Sequence, residues 1–495
     1  MTEKNSLLDS YLARAAGKEK RSDLIAYLAA LDHLGVAAPS IAAHILQELR
    51  TQRSTLKLIA SENYSTLTVQ LAMGNLLTDK YCEGYPYHRF YAGCENVDAI
   101  EAEAAENARA VFGAEHAYVQ PHSGADANMV AFWAILAQRI QNPTLEKLGK
   151  KNPDELSVEE FETLRQELCN QKFMGLGLSS GGHLTHGFRQ NVSAKMMRAV
   201  TYEVNPQTHL LDYDAIAAAA RREKPLILLA GYSAYPRRIN FAQMRAIADE
   251  VGAVFMVDMA HFAGLVAGKA FTGEENPVPY AHIITSTTHK TLRGPRGGFI
   301  LCTSEYTDSV NKGCPYVLGG PLPHVIAAKA IGFKEASTDA FRAYAQKVIE
   351  NARALAEGLM KREIKVVTGG TDNHLVLLDV SNLGITGRIA EVALTEARIT
   401  ANRNMVPFDS NGAWYTSGIR LGTPALTTLG MGKMEMDEVA AIIAAILRNT
   451  RPMMMESGRP GKAKGETDQK VLDAARQRVH ALLDRYPLYP DLIID

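Results

Sequence analysis

The segment TSTTHKTLRGPRGG, residues 285–298, contains the residue with the clearest chemical potential. Its Lys290 follows an apolar stretch and small hydroxyl residues, and a loop rich in glycine comes after it. A lysine at a strand end that faces a polar, partly dry pocket can lose its proton and form an imine with an aldehyde. Taken alone, Lys290 matches the commoner case of an exposed lysine in a glycine-rich turn.

Two companions of Lys290 strengthen the chemical interpretation. Asp258 ends the apolar stretch AVFMV, at the edge of a sheet where α/β folds bind their ligands. A carboxylate there suits the protonated pyridine nitrogen of pyridoxal phosphate, although Asp is also a common helix N-cap. Ser123 and Gly124 lie between a predicted strand and a predicted helix, where backbone N–H groups can bind a phosphate. The order of these three features within one domain favours a pyridoxal phosphate site.

Composition limits the class of protein and its partners. The chain has 495 residues, of which 46% are hydrophobic and 22% are charged, as is typical of a globular protein of two or three domains. Lys and Arg total 53, Asp and Glu total 54, and the formal net charge is −1. This balance predicts no binding to nucleic acid or to an anionic membrane surface.

Cysteine usage and the N-terminus predict a cytoplasmic protein. The five cysteines are scattered without a CxxC pair, which argues against a disulfide framework and a structural zinc site. The first 23 residues contain no apolar core of a secretory signal, and no uninterrupted apolar run is long enough to span a bilayer.

The elements that must position these residues follow from the hydrophobic pattern. Short apolar runs bounded by turn residues predict strands, and a mostly parallel sheet covered by helices on both faces. These predicted strands are residues 116–120, 225–231, 253–257 and 281–285. An Ala- and Glu-rich stretch, residues 98–112, predicts a helix.

Three parts of the chain are predicted. Residues 1–75 form an N-terminal helical arm, whose helical run over 7–60 is broken at Gly35 and Pro39. Residues 76–335 form the large domain, in which the charged segment 138–171 is a partly helical surface insertion. Residues 336–495 form a smaller α+β domain. Its predicted elements are a helix at 341–362, strands at 364–367 and 374–380, a helix at 434–449, a polar loop at 451–470 and a last helix before Pro487.

From Leu56 onward the chain resembles serine hydroxymethyltransferase, a pyridoxal phosphate enzyme of the aspartate-aminotransferase fold type. The resemblance rests on LIASENY, TDKYCEGYPYHRFYAGCENVD, QPHSGADAN, GGHLTHG, VDMAHFAG, TTHKTLRGPRGG, GGPLPHV, TDNHLVLLDV and TSGIRLGTPA. It implies an α/β fold, fold type I, with a mostly parallel seven-stranded sheet between helices, the N-terminal helical arm and a small α+β C-terminal domain.

The resemblance also implies how the cofactor is bound. Lys290 would carry it as an imine, Asp258 would pair with the pyridine nitrogen, and His261 would contact the side of the ring that bears the hydroxyl. The remaining cofactor contacts implied are Ala260 and His183 on the two ring faces, Ser233 near the ring oxygen, Ser123, Gly124 and His289 at the phosphate, and Tyr81, Gly319 and Gly320 reaching that phosphate from a neighbouring subunit.

Substrate binding and catalysis follow in the same way. Arg420 would bind the amino-acid carboxylate bidentately, a geometry that suits its planar guanidinium. Glu83 would act on the substrate hydroxyl and the folate-derived carbon, and Thr287 joins the implied catalytic set. The other implied substrate contacts are Ser61 and Tyr91 in the amino-acid pocket, and Leu178, Gly182, Leu184 and Asn404 along the folate.

The implied activity is the reversible conversion of L-serine and tetrahydrofolate into glycine and 5,10-methylenetetrahydrofolate by a homodimer with shared active sites. This would place the chain in one-carbon metabolism and glycine biosynthesis. Side reactions, such as aldol cleavage of 3-hydroxy amino acids, transamination or alanine racemisation, use the same electron sink.

Two alternatives remain at the level of sequence. Phe90, Ala125 and Leu318 stand where the family usually has tyrosine, serine and glutamine. These departures are compatible with a pyridoxal phosphate-dependent aldolase or racemase of small amino acids that uses no folate. The second alternative is a non-catalytic descendant that binds cofactor, RNA or a partner; the near-zero charge and the intact Lys, Asp, Glu and Arg set argue against it.

Overall fold

The computed structural model describes residues 6–494, which begin with a helical N-terminal part. Its helices are Leu7–Arg14, Ser22–Ala37 and Pro39–Arg53. The predicted break at Pro39 is confirmed, because proline has no N–H to donate and is tolerated at a helix start. The predicted break at Gly35 is wrong: the second helix continues through it to Ala37.

The central feature is a seven-stranded sheet. All neighbouring pairs are parallel except the two pairs made by Gly298–Cys302, which runs antiparallel to both of its neighbours. The predicted α/β fold with a mostly parallel sheet is therefore confirmed. In sheet order the strands are His116–Tyr118, Gly298–Cys302, Ile283–Thr287, Val254–Asp258, Ile227–Gly231, Lys172–Leu176 and Arg198–Tyr202.

Helices cover both faces of this sheet. Along the strand Val254–Asp258, Phe255 and Val257 pack into one hydrophobic core, whereas Val254 and Met256 pack into another. Successive side chains of a strand point to opposite faces, so a strand buried on both sides reads as a continuous apolar run. The longer helices of this part are Glu95–Phe112, Gly124–Leu136, Tyr213–Glu223, Phe241–Val251 and Pro323–Ala336.

The charged segment 138–171 is largely helical. A π-helical turn, Ala137–Gln141, leads into the helices Asn142–Lys147 and Val158–Asn170. The longer of these helices buries only Leu164 and begins with a capping box at Ser157 and Glu160. Most of its side chains face solvent.

The C-terminal part contains a four-stranded antiparallel sheet. The long helix Asp339–Met360 joins it to the large core, because Val348 packs into the large core and Leu355 packs into the smaller one. The strands in sheet order are Lys365–Val366, Leu375–Asp379, Gly418–Gly422 and Asn402–Asn404. Its longer helices are Gly387–Glu396, Lys433–Arg448 and Gln469–Arg485.

The prediction of a polar loop at 451–470 is wrong. The strands Thr450–Met454 and Pro460–Thr467 form an antiparallel hairpin there. The hairpin lies against the helix Gly387–Glu396, where Gly465 is in close contact with Ile389. Only Thr450 and Thr467 in these strands are β-branched, and Pro460–Thr467 consists mostly of charged, glycine and alanine residues, so the sequence lacks the usual signal for a strand.

The remaining elements are short. Gly84–Tyr85 and His88–Arg89 form a small hairpin, and Leu56–Lys57 pairs in parallel with Ile399–Thr400. The short helices are Leu67–Leu71, Ser193–Met196, Ala263–Ala267, Thr307–Asn311, Gly313–Tyr316, Gly412–Tyr415 and Pro424–Thr428. Within residues 6–494, none of the helices has the length and apolar character needed to cross a membrane.

Candidate active site

A cavity of about 530 Å³ lies at the carboxyl ends of the parallel strands. This is the edge at which open α/β sheets bind their ligands. The predicted site residues that line it are Ser61, Ser123, Gly124, Leu178, Gly182, His183, Leu184, Ser233, Asp258, Ala260, His261, Thr287, His289, Lys290, Asn404 and Arg420. The structure thus brings together residues that are far apart in the chain.

Asp258 is a buried carboxylate held at the end of its strand. Asn128 Nδ2 donates to Asp258 Oδ2 over 2.9 Å, and His186 Nε2 lies 3.2 Å from the same oxygen. The backbone N–H of Ala260 donates to Oδ1 over 3.0 Å. Burial alone would raise the pKa of Asp258, but His186, His183 and Asn128 outweigh it and hold that pKa below its usual range. Asp258 is therefore a fixed negative charge facing the cavity.

Lys290 follows the strand Ile283–Thr287 and begins a single 3-10 turn. Its φ of 60° lies in the left-handed region, which is uncommon and strained for a residue other than glycine. Asn63 Nδ2 donates to the carbonyl of Lys290 over 2.9 Å and so supports this conformation. Burial lowers the pKa of the Lys290 amine to about 8, although Asp258 acts in the opposite direction. About one-tenth of the amine is therefore neutral and nucleophilic at pH 7.

Arg420 is a half-buried cation on the strand Gly418–Gly422. Its Nη1 donates to the carbonyl of Ser233 over 2.7 Å, and its Nε donates to Asn402 over 3.1 Å. Burial lowers the pKa of Arg420 to about 10. Among the residues described, no carboxylate forms an ion pair with Arg420, so its guanidinium can accept an anionic ligand in the cavity.

The histidines of the cavity are neutral. Burial lowers the pKa of His183 to about 4 and that of His289 to about 3. Nδ1 of His289 is buried and has no hydrogen-bond partner among the described residues. His261 Nδ1 lies 3.2 Å from His374 Nε2, with the two rings stacked, and burial holds the pKa values of both below the ordinary range.

The turn before the helix Gly124–Leu136 forms an open N-terminus at the cavity. Ser123 is the N-cap: its Oγ accepts from the backbone N–H of Asp126 over 3.1 Å and donates to the Asp126 carboxylate over 2.9 Å. Ser123, Gly124 and Ala125 all line the cavity. The first N–H groups of a helix suit a phosphate.

The other predicted site residues form a separate group, the Glu83 cluster, which consists of Tyr81, Glu83, Tyr91, Gly319 and Gly320. None of them lines the cavity of the same chain. The hydroxyls of Tyr91 and Tyr81 donate to the Glu83 carboxylate over 3.2 and 3.5 Å, and the two rings meet edge to face. A Cβ at Gly320 would lie 3.2 Å from the Tyr81 ring. Tyr81 is 56% exposed and Tyr91 is 44% exposed.

Comparison with known proteins identifies the family to which this chain belongs. The sequence model of the family described as "Serine hydroxymethyltransferase" matches residues 34–146 and 159–443. The chain belongs to the serine hydroxymethyltransferase family. It is therefore a pyridoxal phosphate-dependent transferase of fold type I, and the resemblance drawn from its motifs is confirmed. The stretch left unmatched between residues 146 and 159 falls within the charged segment 138–171.

Curated relatives in the family are similar over nearly the whole chain. A serine hydroxymethyltransferase of Treponema pallidum is 59% identical over 488 residues, which are 99% of this chain and 85% of the relative. One of Chlamydia muridarum is 57% identical over 492 residues, 99% of either chain. One of Mycolicibacterium smegmatis is 59% identical over 473 residues, 95% of either chain. These similarities favour the hydroxymethyltransferase over the folate-free alternative.

Several residues of this hydroxymethyltransferase site were not assigned a role from sequence. Asn128 and His186 hold Asp258, and His374 stacks on His261. Asn128 and His186 occur in QPHSGADAN and GGHLTHG, but nothing in those motifs indicates which carboxylate they contact. Further residues that line the cavity are Gly181, Tyr232, Ala234, Arg296, Arg403, Met405, Ala413 and Thr416.

Proposed function

We propose that this hydroxymethyltransferase interconverts L-serine and tetrahydrofolate with glycine and 5,10-methylenetetrahydrofolate, using pyridoxal phosphate bound to Lys290. The observation that carries the proposal is the set of Lys290, Asp258 and Arg420 on one cavity. These are an amine with a lowered pKa, a fixed carboxylate and a half-buried guanidinium for which the described residues provide no ion-pair partner. Together they match an aldehyde cofactor, its basic ring nitrogen and an amino-acid carboxylate.

The cavity fits pyridoxal phosphate. The cup at Ser123–Ala125 offers helix N–H groups for the phosphate, and the unpartnered Nδ1 of His289 offers one more polar atom close to Lys290. Asp258 would face the pyridine nitrogen, with His183 and Ala260 lining the walls between. When bound, pyridoxal phosphate withdraws electrons from the bond that breaks at the amino-acid Cα.

The residues of the chain have separate tasks around that chemistry. Asp258 remains ionised, because His186 and Asn128 stabilise its charge, and so it keeps a proton on the ring nitrogen. Lys290 supplies its neutral amine and then accepts or returns a proton at Cα. Arg420 fixes the substrate carboxylate, with Ser61 in the same pocket. Leu178, Leu184, Gly182 and Asn404 offer apolar and amide surface for the pteridine.

We also propose that the active enzyme is a homodimer whose subunits share their sites. The exposed Glu83 cluster supports this, since in one chain it lies apart from the cavity that would need a proton-transferring carboxylate. In this proposal the cavity of the partner is completed by Glu83, Tyr91, Tyr81 and the glycines 319–320.

Three positions depart from the residues that are usual in the family. Phe90 carries no hydroxyl for the folate, Ala125 carries no hydroxyl for the phosphate, and Leu318 stands before the paired glycines. We therefore expect this chain to differ from its relatives most in its affinity for folate.

The cysteines and the hydrophobic cores support further proposals about the compartment and the domains of the protein. The five cysteines are free thiols, which supports a reducing compartment, and we propose the cytoplasm. The organisation into residues 1–75, 76–335 and 336–495 is supported by two separate cores, although Leu56 and Leu58 belong to the core of the C-terminal sheet. Pathway roles in one-carbon metabolism and glycine biosynthesis follow only if the reaction is as proposed.

The test measures serine cleavage and the visible absorbance of the bound cofactor, each with and without tetrahydrofolate. We expect a spectral change on adding glycine, a stronger one with glycine and tetrahydrofolate together, and folate-stimulated cleavage of serine. Cleavage of serine or of 3-hydroxy amino acids at a rate that folate leaves unchanged would instead support an aldolase. A protein without visible absorbance after addition of pyridoxal phosphate would contradict the proposal.

A further inference from the structure

Lys329 is a buried lysine outside the lining of the cavity. It lies in the helix Pro323–Ala336 and is 1% exposed. Its Nζ donates to three backbone carbonyls, those of Val119 over 2.6 Å, Pro121 over 2.9 Å and Gly298 over 2.9 Å. No carboxylate within residues 6–494 is close enough to form an ion pair with it. Such a residue needs a reason to be retained, because burying an ammonium group is costly.

The three carbonyls belong to two segments that adjoin residues of the cavity lining. Val119 and Pro121 flank Gln120 in the turn that leads to the cup at Ser123–Ala125. Gly298 begins the strand that follows the loop carrying Lys290, and its own N–H donates to the carbonyl of Pro121 over 2.9 Å. Lys329 therefore lies where the turn of residues 119–124, the phosphate turn, meets the end of the loop of residues 288–297, the lysine loop that carries Lys290.

The same point closes the lysine loop on itself. The backbone N–H of Thr288 donates to the carbonyl of Gly297 over 3.0 Å, and Thr288 Oγ1 donates to the carbonyl of Pro295 over 2.7 Å. Residues 288–297 thus form a closed loop with Lys290 inside it. Because Lys329 holds Gly298, it fixes the end of this loop against the phosphate turn.

Packing at this point requires glycine. A Cβ at Gly297 would lie 2.5 Å from Cε of Lys329, and a Cβ at Gly298 would lie 2.3 Å from the carbonyl oxygen of Ser123. Both distances are shorter than ordinary contact. The paired glycines of GPRGG are therefore explained by the approach of Lys329 and of the phosphate turn, rather than by a turn of their own.

The charge on Lys329 suits its three acceptors. An ammonium has three N–H donors, whereas a neutral amine has two and would leave one carbonyl facing a lone pair. Burial lowers the pKa of Lys329 to about 7, while Glu101 and Asp126 act to raise it. Glu101 receives hydrogen bonds from Arg89 and Gln120, so it too is fixed in place.

We propose that Lys329 is a positioning residue that holds the phosphate turn against the Lys290 loop, and so preorganises the cup for the phosphate of the cofactor. This inference rests on the proposed function, since it assumes that pyridoxal phosphate occupies the cavity. It assigns Lys329 no contact with the cofactor. Its effect should therefore fall on ligands with a phosphate and spare those without one.

The experiment titrates the full-length, cofactor-stripped protein with pyridoxal phosphate and, separately, with pyridoxal, which has no phosphate. Lys329→Met removes the three donors and keeps an unbranched side chain that is shorter by one heavy atom. Gly297→Ala pushes the Lys329 side chain aside and leaves its charge in the protein. The control is Lys269→Met, which removes an exposed lysine whose Nζ donates to the carbonyl of Val111 over 2.8 Å, away from the cup.

We expect Lys329→Met to raise the Kd of pyridoxal phosphate by about tenfold or more, and Gly297→Ala to raise it in the same direction. The Kd of pyridoxal should change less than about threefold, and Lys269→Met should bind both ligands as the parent does. Equal weakening of both ligands, or unchanged binding of pyridoxal phosphate, would overturn the inference. If Lys329→Met does not fold, Gly297→Ala decides by the same criteria. If the parent protein binds neither ligand, that result contradicts the proposed function and is distinct from a failure of the role assigned to Lys329.

Discussion

Asn128 donates a hydrogen bond of 2.9 Å to the carboxylate of Asp258 from the helix whose N-terminus is the phosphate cup. One helix therefore contributes to both ends of the proposed cofactor site. The same amide nitrogen also donates to Thr185 over 2.8 Å, so its orientation is fixed from two sides. The distance between cup and carboxylate is thus set by one rigid element.

The first prediction concerns this bond. Asn128→Asp would put a carboxylate oxygen in the place of the donated N–H, and two buried carboxylates cannot both stay ionised at this distance. We expect the pKa of Asp258 to rise and the rate of serine cleavage to fall by about 100-fold or more. Steady-state kinetics and titration with pyridoxal phosphate check this. Asn449→Asp, an exposed position at a helix C-cap, is the control and should be active.

The second prediction concerns pH. Burial lowers the pKa of Lys290 to about 8, and only the neutral amine attacks an aldehyde. The neutral fraction rises with pH, from about one-tenth at pH 7 to about nine-tenths at pH 9. The rate of cofactor capture by the stripped protein should therefore rise about tenfold over this range and then level off. Stopped-flow absorbance measures it. A rate that is flat from pH 7 to 9, or that still rises steeply above pH 10, would contradict the assigned pKa.

The third prediction concerns the substrate carboxylate. Arg420→Lys keeps a cation but loses the planar fork that can bind both oxygens of a carboxylate while other N–H groups of the guanidinium donate to Ser233 and Asn402. We expect the KM for serine to rise by about 10- to 100-fold, with little change in the affinity for pyridoxal phosphate. Arg478→Lys replaces a partly exposed arginine paired with Glu438, and its kinetics should match those of the parent. Equal losses in serine and cofactor affinity would point to a collapsed site.

Features that depend on local pattern could be predicted from sequence. The buried strands are continuous apolar runs, and these runs predict the α/β fold. Asp258 and Lys290 lie close to the ends of two runs, and this predicts the edge of the sheet at which the cavity lies. Partners from distant segments could not be predicted in this way. His374 contacts His261 only because the two sheets meet, and Lys329 reaches three carbonyls that nothing in its own helix indicates.

The hairpin of residues 450–467 was missed for a different reason. Its strand Pro460–Thr467 alternates exposed and half-buried positions without a large apolar residue. The hairpin is held by backbone pairing between its two strands and by the close approach of Gly465 to Ile389. Neither feature can be predicted from the residue types of the segment. The separation of Glu83 and Tyr91 from the cavity was likewise not visible in the residues themselves, because a motif indicates chemistry and not which chain receives it; for Tyr81, Gly319 and Gly320 the family resemblance already implied a neighbouring subunit.

The fourth prediction tests whether sites are shared between subunits. Glu83→Gln removes the carboxylate that we propose transfers a proton, and Lys290→Ala removes the amine that we propose binds the cofactor, so each variant alone should lose nearly all serine cleavage. In a mixed dimer with shared sites, the Lys290→Ala chain lends its intact Glu83 to the intact Lys290 of its partner. One of the two sites is then complete.

Co-refolding the two variants at equal amounts should therefore restore about a quarter of the parent activity, because about half of the dimers are mixed and each has one working site. If Glu83 served the cavity of its own chain, every site in the mixture would lack one residue and activity would stay at background. Size-exclusion chromatography with differently tagged chains shows that mixed dimers formed. As a control, mixing Glu83→Gln chains that carry the two different tags should restore nothing, since no intact Glu83 is present in either chain.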